Sequence, residues 1–238
     1  MRPKIICHMI SSIDGRLLPA RWTPPVANPN SGRKHNVYES AAAELGGDGW
    51  LIGRVSMEPY ATGTARKLPL PSDRLRDTFM AAHTQPQLAI ALDPSGKLHY
   101  GRNGTDDEHF VAILSEKVGD AYLAELRSDG VSYLFAGPDG NDLELAMETL
   151  GNTFGMKTLL LEGGGIINGS FLKAGLIDEM SLLMYPGIDG LASVPSIFEY
   201  HGRPDERPAA GKALRHLATE TLDDGTVWLR YRIEAEPT

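Results

Sequence analysis

Short, uniformly apolar runs recur along the chain at residues 5–10, 50–52, 88–92, 110–114, 131–135, 158–161 and 180–185, and each ends in turn-forming residues. Runs this short, without polar alternation, predict strands buried on both faces. Between several of them the apolar spacing widens to three and four. Val37, Ala41 and Leu45 precede Gly46-Gly47, and Tyr122, Leu123 and Leu126 precede Gly130. Leu143, Ala146, Met147 and Leu150 precede Gly151, and Ile167, Phe171 and Ala174 precede Gly175. Each set predicts one face of a helix closed by a glycine. Strands alternating with helices predict an α/β fold with a mainly parallel central sheet flanked by helices. The pattern changes at the C-terminus, where residues 214–221 and 227–233 are strand-like and Leu222-Asp223-Asp224-Gly225 separates them. Asp-Gly in that position predicts an antiparallel hairpin with a tight turn.

Three long segments, residues 19–34, 61–76 and 186–208, are rich in Pro, Gly, Asn and Arg and follow no period. Loops of that length inside a compact domain are more often functional than accidental. None has the composition of a linker and no repeat is visible, so residues 1–238 read as a single domain at the upper end of ordinary domain size. With 42% apolar and 23% charged residues the chain can bury a sizeable core, which excludes disorder, collagen and coiled coil. No apolar run approaches the roughly 18 residues needed to cross a bilayer, so no membrane association is expected. The apolar stretch after Arg2 is too short for a signal peptide, and the chain reads as starting at its mature end.

A formal charge of −8 argues against nucleic acid as a partner. The single cysteine, Cys7, excludes an internal disulfide or a cysteine-rich zinc cluster and points to a reducing, cytoplasmic setting. Seven histidines show no H-x-x-x-H spacing, and no metal site is expected. Nucleophile-elbow, P-loop and zinc-deaminase patterns are all missing from the sequence.

In an open parallel sheet, ligands bind beyond the carboxyl ends of the strands, which makes the residues after each apolar run the set to search. Leu161-Glu162-Gly163-Gly164-Gly165-Ile166 is strand, glycine turn and helix start. Small residues there admit a ligand to the backbone, and free N–H groups at a helix start favour a phosphate. The plainer alternative is a strand-to-helix turn that needs small residues for packing. The dinucleotide fingerprint G-x-G-x-x-G fails at Asn168, which disfavours a standard Rossmann domain. Gly53-Arg54-Val55-Ser56 adds a guanidinium and a hydroxyl after another strand, suited to a phosphate monoester such as the one that distinguishes NADP from NAD. Its alternative is an arginine that neutralises a nearby carboxylate. Asp14, after Ser11-Ser12 and before Gly15, could orient a substrate or shuttle a proton, or could be a turn aspartate.

Ser12-Ile13-Asp14-Gly15, Asp48-Gly49-Trp50-Leu51-Ile52-Gly53-Arg54-Val55-Ser56, Leu161-Glu162-Gly163-Gly164-Gly165, Gly175-Leu176-Ile177-Asp178-Glu179 and Pro186-Gly187-Ile188-Asp189-Gly190 follow one another in an order and spacing that resembles a known family. This is the reductase domain of bifunctional riboflavin-biosynthesis proteins, with a dihydrofolate reductase-like fold. The resemblance implies NADPH as cofactor, hydride transfer to a ribosylaminopyrimidine or pterin-like small molecule, and a homodimer. It also implies that Gly53, Arg54 and Ser56 meet the adenosine 2′-phosphate end of NADPH with Ser115 nearby. Gly163, Gly164, Gly165 and Ile166 would hold the pyrophosphate, while Ser12, Asp14 and Glu162 would border the nicotinamide and substrate, Asp14 as the catalytic polar group. The family's arginine-rich stretch after the first loop is replaced here by Lys34-His35-Asn36-Val37-Tyr38-Glu39-Ser40. A dihydrofolate reductase-type enzyme and a non-catalytic nucleotide-binding protein are the alternatives.

Overall fold

The computed structural model describes residues 1–26, 34–69, 76–222 and 224–237, with the side chains of residues 34–36 left aside. The expected loops over residues 19–34 and 61–76 therefore lie partly outside the described residues, as does Asp223 of the expected turn. In chain order the elements are β1 (Lys4–Ser12), α1 (Lys34–Leu45), β2 (Gly49–Gly53), α2 (Arg54–Met57), β3 (Gln87–Leu92), β4 (Glu108–Leu114) and α3 (Asp120–Asp129). They continue with β5 (Ser132–Phe135), α4 (Leu143–Asn152), β6 (Thr158–Leu161), α5 (Gly165–Lys173), β7 (Glu179–Tyr185), β8 (Lys212–Thr221) and β9 (Val227–Ala235). Every apolar run named above coincides with a strand, except that Val131 lies just before β5. Gly130 closes α3 at φ +70°, whereas Gly151, the expected stop of the next helix, lies inside α4, which ends at Asn152 with Thr153 as its C-cap; the Asp142 carboxylate caps the start of α4 by accepting the Leu145 N–H at 2.9 Å.

The chain resolves into two compact units, Met1–Pro3 with Asp48–Leu159 and Lys4–Gly47 with Leu160–Thr238, and the boundary falls inside β6. In the first unit the strands run in the order β5-β4-β3-β2 and all pair parallel. Their core holds Met57, Tyr100, Phe110, Leu123, Leu126 and Tyr133. In the second unit the order is β1-β7-β9-β8, with β1 and β7 parallel and β9 antiparallel to both neighbours. Ala41, Leu183 and Trp228 form its centre, flanked by Ile10, Val37, Tyr38 and Leu45. The mixed α/β architecture with parallel strands and a C-terminal antiparallel hairpin is the one expected. Strand pairing stops at Thr221 and Val227, and the loop is closed by Leu222 N–H to Thr226 O at 2.8 Å and Gly225 N–H to Leu222 O at 2.9 Å. Gly225 takes φ +83° and Asp224 accepts the Thr226 N–H, so the hairpin closes in the tight turn expected at Leu222–Gly225.

Candidate functional site

Parallel register carries the carboxyl ends of β2 to β5 to one edge of the first unit. Gly53 pairs with Leu92, Leu92 with Ile113, and Leu114 with Phe135. Arg54, Asp93, Ser115 and Ala136 therefore follow one another along that edge. Asp93 is fully buried, and one of its carboxylate oxygens accepts the N–H groups of Lys97 and Leu98 at 2.6 and 2.9 Å. This shapes the loop that starts at Pro94. A cavity of about 340 Å³ opens there, lined by Pro94, Ser95, Ser115, Lys117, Val118 and Asp139, with Lys117 and Asp139 joined in an ion pair. Lys117 and Asp139 carry no motif of their own, and only the rule about strand ends points to them.

Gly53, buried, is the N-cap of the short helix α2, and Ser56, exposed, lies within it. Arg54 pairs with Glu58 one helical turn on, the carboxylate-neutralising arrangement left open above. Both side chains are part-exposed, and exposed pairs of this spacing are worth about 0.3–0.5 kcal/mol. A charge-assisted bond to a phosphate is worth about 1.5–3 kcal/mol, so the ion pair would yield to a phosphate that came within reach.

In the second unit Ser12 pairs with Tyr185, which sets the 12–16 turn beside residues 186–190. Ile13 N–H reaches Gly187 O at 2.9 Å. Asp14 stitches the two loops together: it accepts Ser12 Oγ–H at 2.6 Å, Asp189 N–H at 3.1 Å and Gly190 N–H at 2.9 Å. These donors, the Ser12 hydroxyl first, hold its carboxyl well below the usual carboxylate range. An aspartate pinned ionised by three donors has no proton to give near neutral pH. These contacts make Asp14 a negative charge that fixes the 187–190 loop.

The three glycines after Glu162 differ in their reasons. Gly163 adopts φ +89°, a region that side chains other than hydrogen rarely enter, and lies against Met9 of β1. A Cβ on Gly164 would meet nothing within 4 Å, so this residue faces open space. A Cβ on Gly165 would stand 2.2 Å from Ser196 O, which makes Gly165 a packing glycine. The Gly163–Gly164 peptide is cis. Helix α5 begins here with Gly164 at its N-cap, and its first N–H groups have no carbonyl one turn back to accept them. Ile166, half-exposed, follows. Asn168, which broke the dinucleotide fingerprint, is fully buried and donates to Ile197 O at 2.9 Å, tying α5 to the loop after β7.

Behind Glu162 lies a polar network in which no sequence motif appears. His8 of β1 stacks on Tyr38 of α1, ring centroids 4.2 Å apart. Tyr38 Oη donates to His8 O at 3.0 Å. Burial lowers His8 to about 4, so the ring is neutral. Burial first, and then the Glu162 charge, raise the Tyr38 phenol well above its ordinary value and keep it a donor. Cys7, buried next to His8, is pushed up by the same desolvation and stays an unreactive thiol. No group of three or more metal-ligating side chains is found among the described residues, nor a helix long and apolar enough to cross a membrane.

Comparison with known proteins places this geometry in context. The sequence profile of the RibD C-terminal domain matches residues 3–228. The 2,5-diamino-6-ribosylamino-4(3H)-pyrimidinone 5′-phosphate reductase of Methanothermobacter thermautotrophicus is 26% identical over 193 residues, 80% of this chain and 81% of that protein. A crystal structure of a pyrimidine reductase-like protein from Corynebacterium diphtheriae is similar with a TM-score of 0.67 at 17% identity, over 98% of this chain and 93% of the other. RibD of Acinetobacter baumannii is similar with a TM-score of 0.61 at 18% identity, over 98% of this chain and 58% of that longer one. The fold is the dihydrofolate reductase-like fold of these reductases.

Proposed function

The chain belongs to the RibD C-terminal domain family, and from that premise we propose that it is an NADPH-dependent reductase of the 5-amino-6-(5-phosphoribosylamino)uracil type, or a close relative acting on another pyrimidine. The observation that carries this reading is the turn at residues 163–165. Gly164 opens on empty space at the start of α5, where a pyrophosphate can approach main-chain N–H groups without displacing a side chain. Arg54 and Ser56 suit the 2′-phosphate, and the cavity beside Ser115 is of a size to take an adenine ring. Ser12 and Glu162 border the reacting end. Bound NADPH supplies the hydride, so the protein's part is orientation and electrostatics. Asp14, held ionised, keeps the 187–190 loop in place and can orient a polar substrate atom or a water.

The profile match runs across both units, which supports reading residues 1–238 as one reductase domain. A homodimer and a cytoplasmic setting complete the proposal. The first follows from the family and from the exposed strand β8, the second from the lone, buried Cys7.

The test is turnover with NADPH and an aminopyrimidine bearing a ribosylamino phosphate, followed at the absorbance of the reduced nicotinamide. Stereospecifically deuterated NADPH should pass its label to the product carbon, and label found in solvent would overturn hydride transfer. Arg54→Ala should weaken NADPH by about tenfold, the equivalent of one charge-assisted bond, and leave NADH nearly unchanged. Equal losses for the two cofactors would remove Arg54 from the phosphate site.

A further inference from the structure

Two of the long aperiodic segments meet beside Asp14, and the contact between them runs through one arginine. Arg21 ends the short 3-10 helix Pro19–Arg21, and its guanidinium donates twice to the Asp189 carboxylate, Nε to Oδ2 at 2.8 Å and Nη2 to Oδ1 at 3.1 Å. The Asp189 side chain is shut off from solvent, while that of Arg21 is 41% exposed. Thr23 adds a second fastening: its N–H donates to Ile188 O at 3.1 Å and its Oγ1 accepts the Ile188 N–H at 3.0 Å. The backbones come so close here that a Cβ on Gly187 would stand 2.7 Å from Thr23 O. Beyond this double fastening the main chain turns its N–H groups on Asp14, Asp189 N–H to Oδ1 and Gly190 N–H to Oδ2.

That arrangement needs a counter-charge. Asp189 donates its N–H to Asp14 yet carries a carboxylate of its own, on which Asp14 acts as a like charge. The Arg21 guanidinium offsets this charge, and its planar fork fixes the plane of the carboxylate, which a single ammonium cannot do. Leu191 N–H, 3.1 Å from Asp189 Oδ1, holds the same carboxylate from the other side.

We propose that Arg21 is a positioning residue: through its bidentate pair with Asp189 it fixes the 187–190 main chain, and with it the two N–H groups that orient the Asp14 carboxylate. This rests on the reading of Asp14 as the group that orients a polar atom of the substrate. The charged groups facing Asp14 are Arg16, 4.0 Å away in its own turn, and Asp189 with its partner Arg21 in the neighbouring loops. Arg16 is tied separately to Val194 O at 2.9 Å, a bond that does not involve Arg21.

Arg21→Met keeps an unbranched stem and removes both bonds to Asp189. The Gly190 amide proton should then move upfield, and its hydrogen exchange should quicken by tenfold or more. In protein labelled with carboxyl-13C aspartate, the titration of Asp14 should move upward by about one pH unit, because a carboxylate that loses donors is less favoured in its ionised form. For the pyrimidine, kcat/KM should fall by about tenfold, as expected for a misplaced orienting group, with the NADPH dissociation constant within twofold of wild type. Arg21→Lys keeps the charge and loses the fork; it guards against a methionine variant that does not fold and should show the same changes in smaller measure. Gly190 and Asp14 signals unmoved in a folded variant would overturn the proposal, even if the wild-type protein is an active reductase. Moved signals with undiminished kcat/KM would overturn the part of Arg21 in the reaction. Moved signals in a protein that reduces no pyrimidine would uphold the chain from Arg21 through Asp189 to Asp14 and overturn the assignment of substrate instead.

Discussion

The glycines after Glu162 look alike in sequence, yet substitution should separate them. Gly164 has φ −61° and open space where a Cβ would sit, so Gly164→Ala should fold normally. The methyl would occupy the ligand's approach, and NADPH affinity should drop by at least about tenfold, measured by nicotinamide fluorescence. Gly165→Ala drives a methyl to 2.2 Å from a main-chain oxygen that no side-chain rotation can relieve. Overpacking of this kind costs about 1–3 kcal/mol and should lower the thermal midpoint by several degrees. If Gly164→Ala bound NADPH like the wild type, the pyrophosphate would have to sit elsewhere. The same care applies to Asp14. Asn at that position would point an amide donor at one of the N–H groups the carboxylate now accepts, so loss of activity in Asp14→Asn would report loop geometry as much as chemistry.

Among the elements, β8 is the one whose sequence and surroundings diverge. It ends the strand order of its unit and most of its ten residues are exposed, Leu214 among them at 63%. A long edge strand with an exposed leucine is a hazard in a monomer and an asset in a dimer, since it offers unpaired N–H and C=O groups for a second chain. Light scattering at micromolar concentration should give twice the chain mass, and Leu214→Lys should shift the population towards monomer. A monomeric wild type would refute the homodimer. Helix α5 makes the converse case. Gly165 and Gly169 let the backbone of residues 196–199 lie directly on it, so the loop after β7 is part of the helix packing rather than a free lid.

For the whole molecule, buried neutral histidines set the acid limit. His8 and His109 are both fully buried and both lowered to about 4, His8 by burial, His109 by burial and then by its neighbour His83. The unfolded chain takes up these protons near pH 6.5, while the folded chain resists until about pH 4. Stability is therefore level above about pH 6.5 and falls as the pH drops from there to about 4. The slope is about 1.4 kcal/mol per pH unit for each histidine. Urea unfolding at pH 7 and pH 5.5 should show the midpoint falling, and His109→Phe should flatten the curve. Stability unchanged between those values would mean that the rings are protonated in the folded state.

The alternation of apolar runs and helical spacings was enough to place the nine strands of the described residues, the parallel class of the sheet and the C-terminal hairpin, because burial on both faces leaves its mark residue by residue. The glycine turn after Glu162 and the Arg54 segment stood out for a related local reason, a strand end followed by small or charged residues. Tertiary structure decided what each of these residues touches. It gave Arg54 a partner in Glu58, tied Asp14 to the 187–190 loop, and assigned Gly165 to packing while leaving Gly164 open. Tyr38, read in sequence only as a replacement within an arginine-rich stretch, stacks on His8, which lies 30 positions away along the chain. Contacts at such separations follow from strand order, and a hydrogen bond's worth depends on burial and donor geometry that no local pattern encodes.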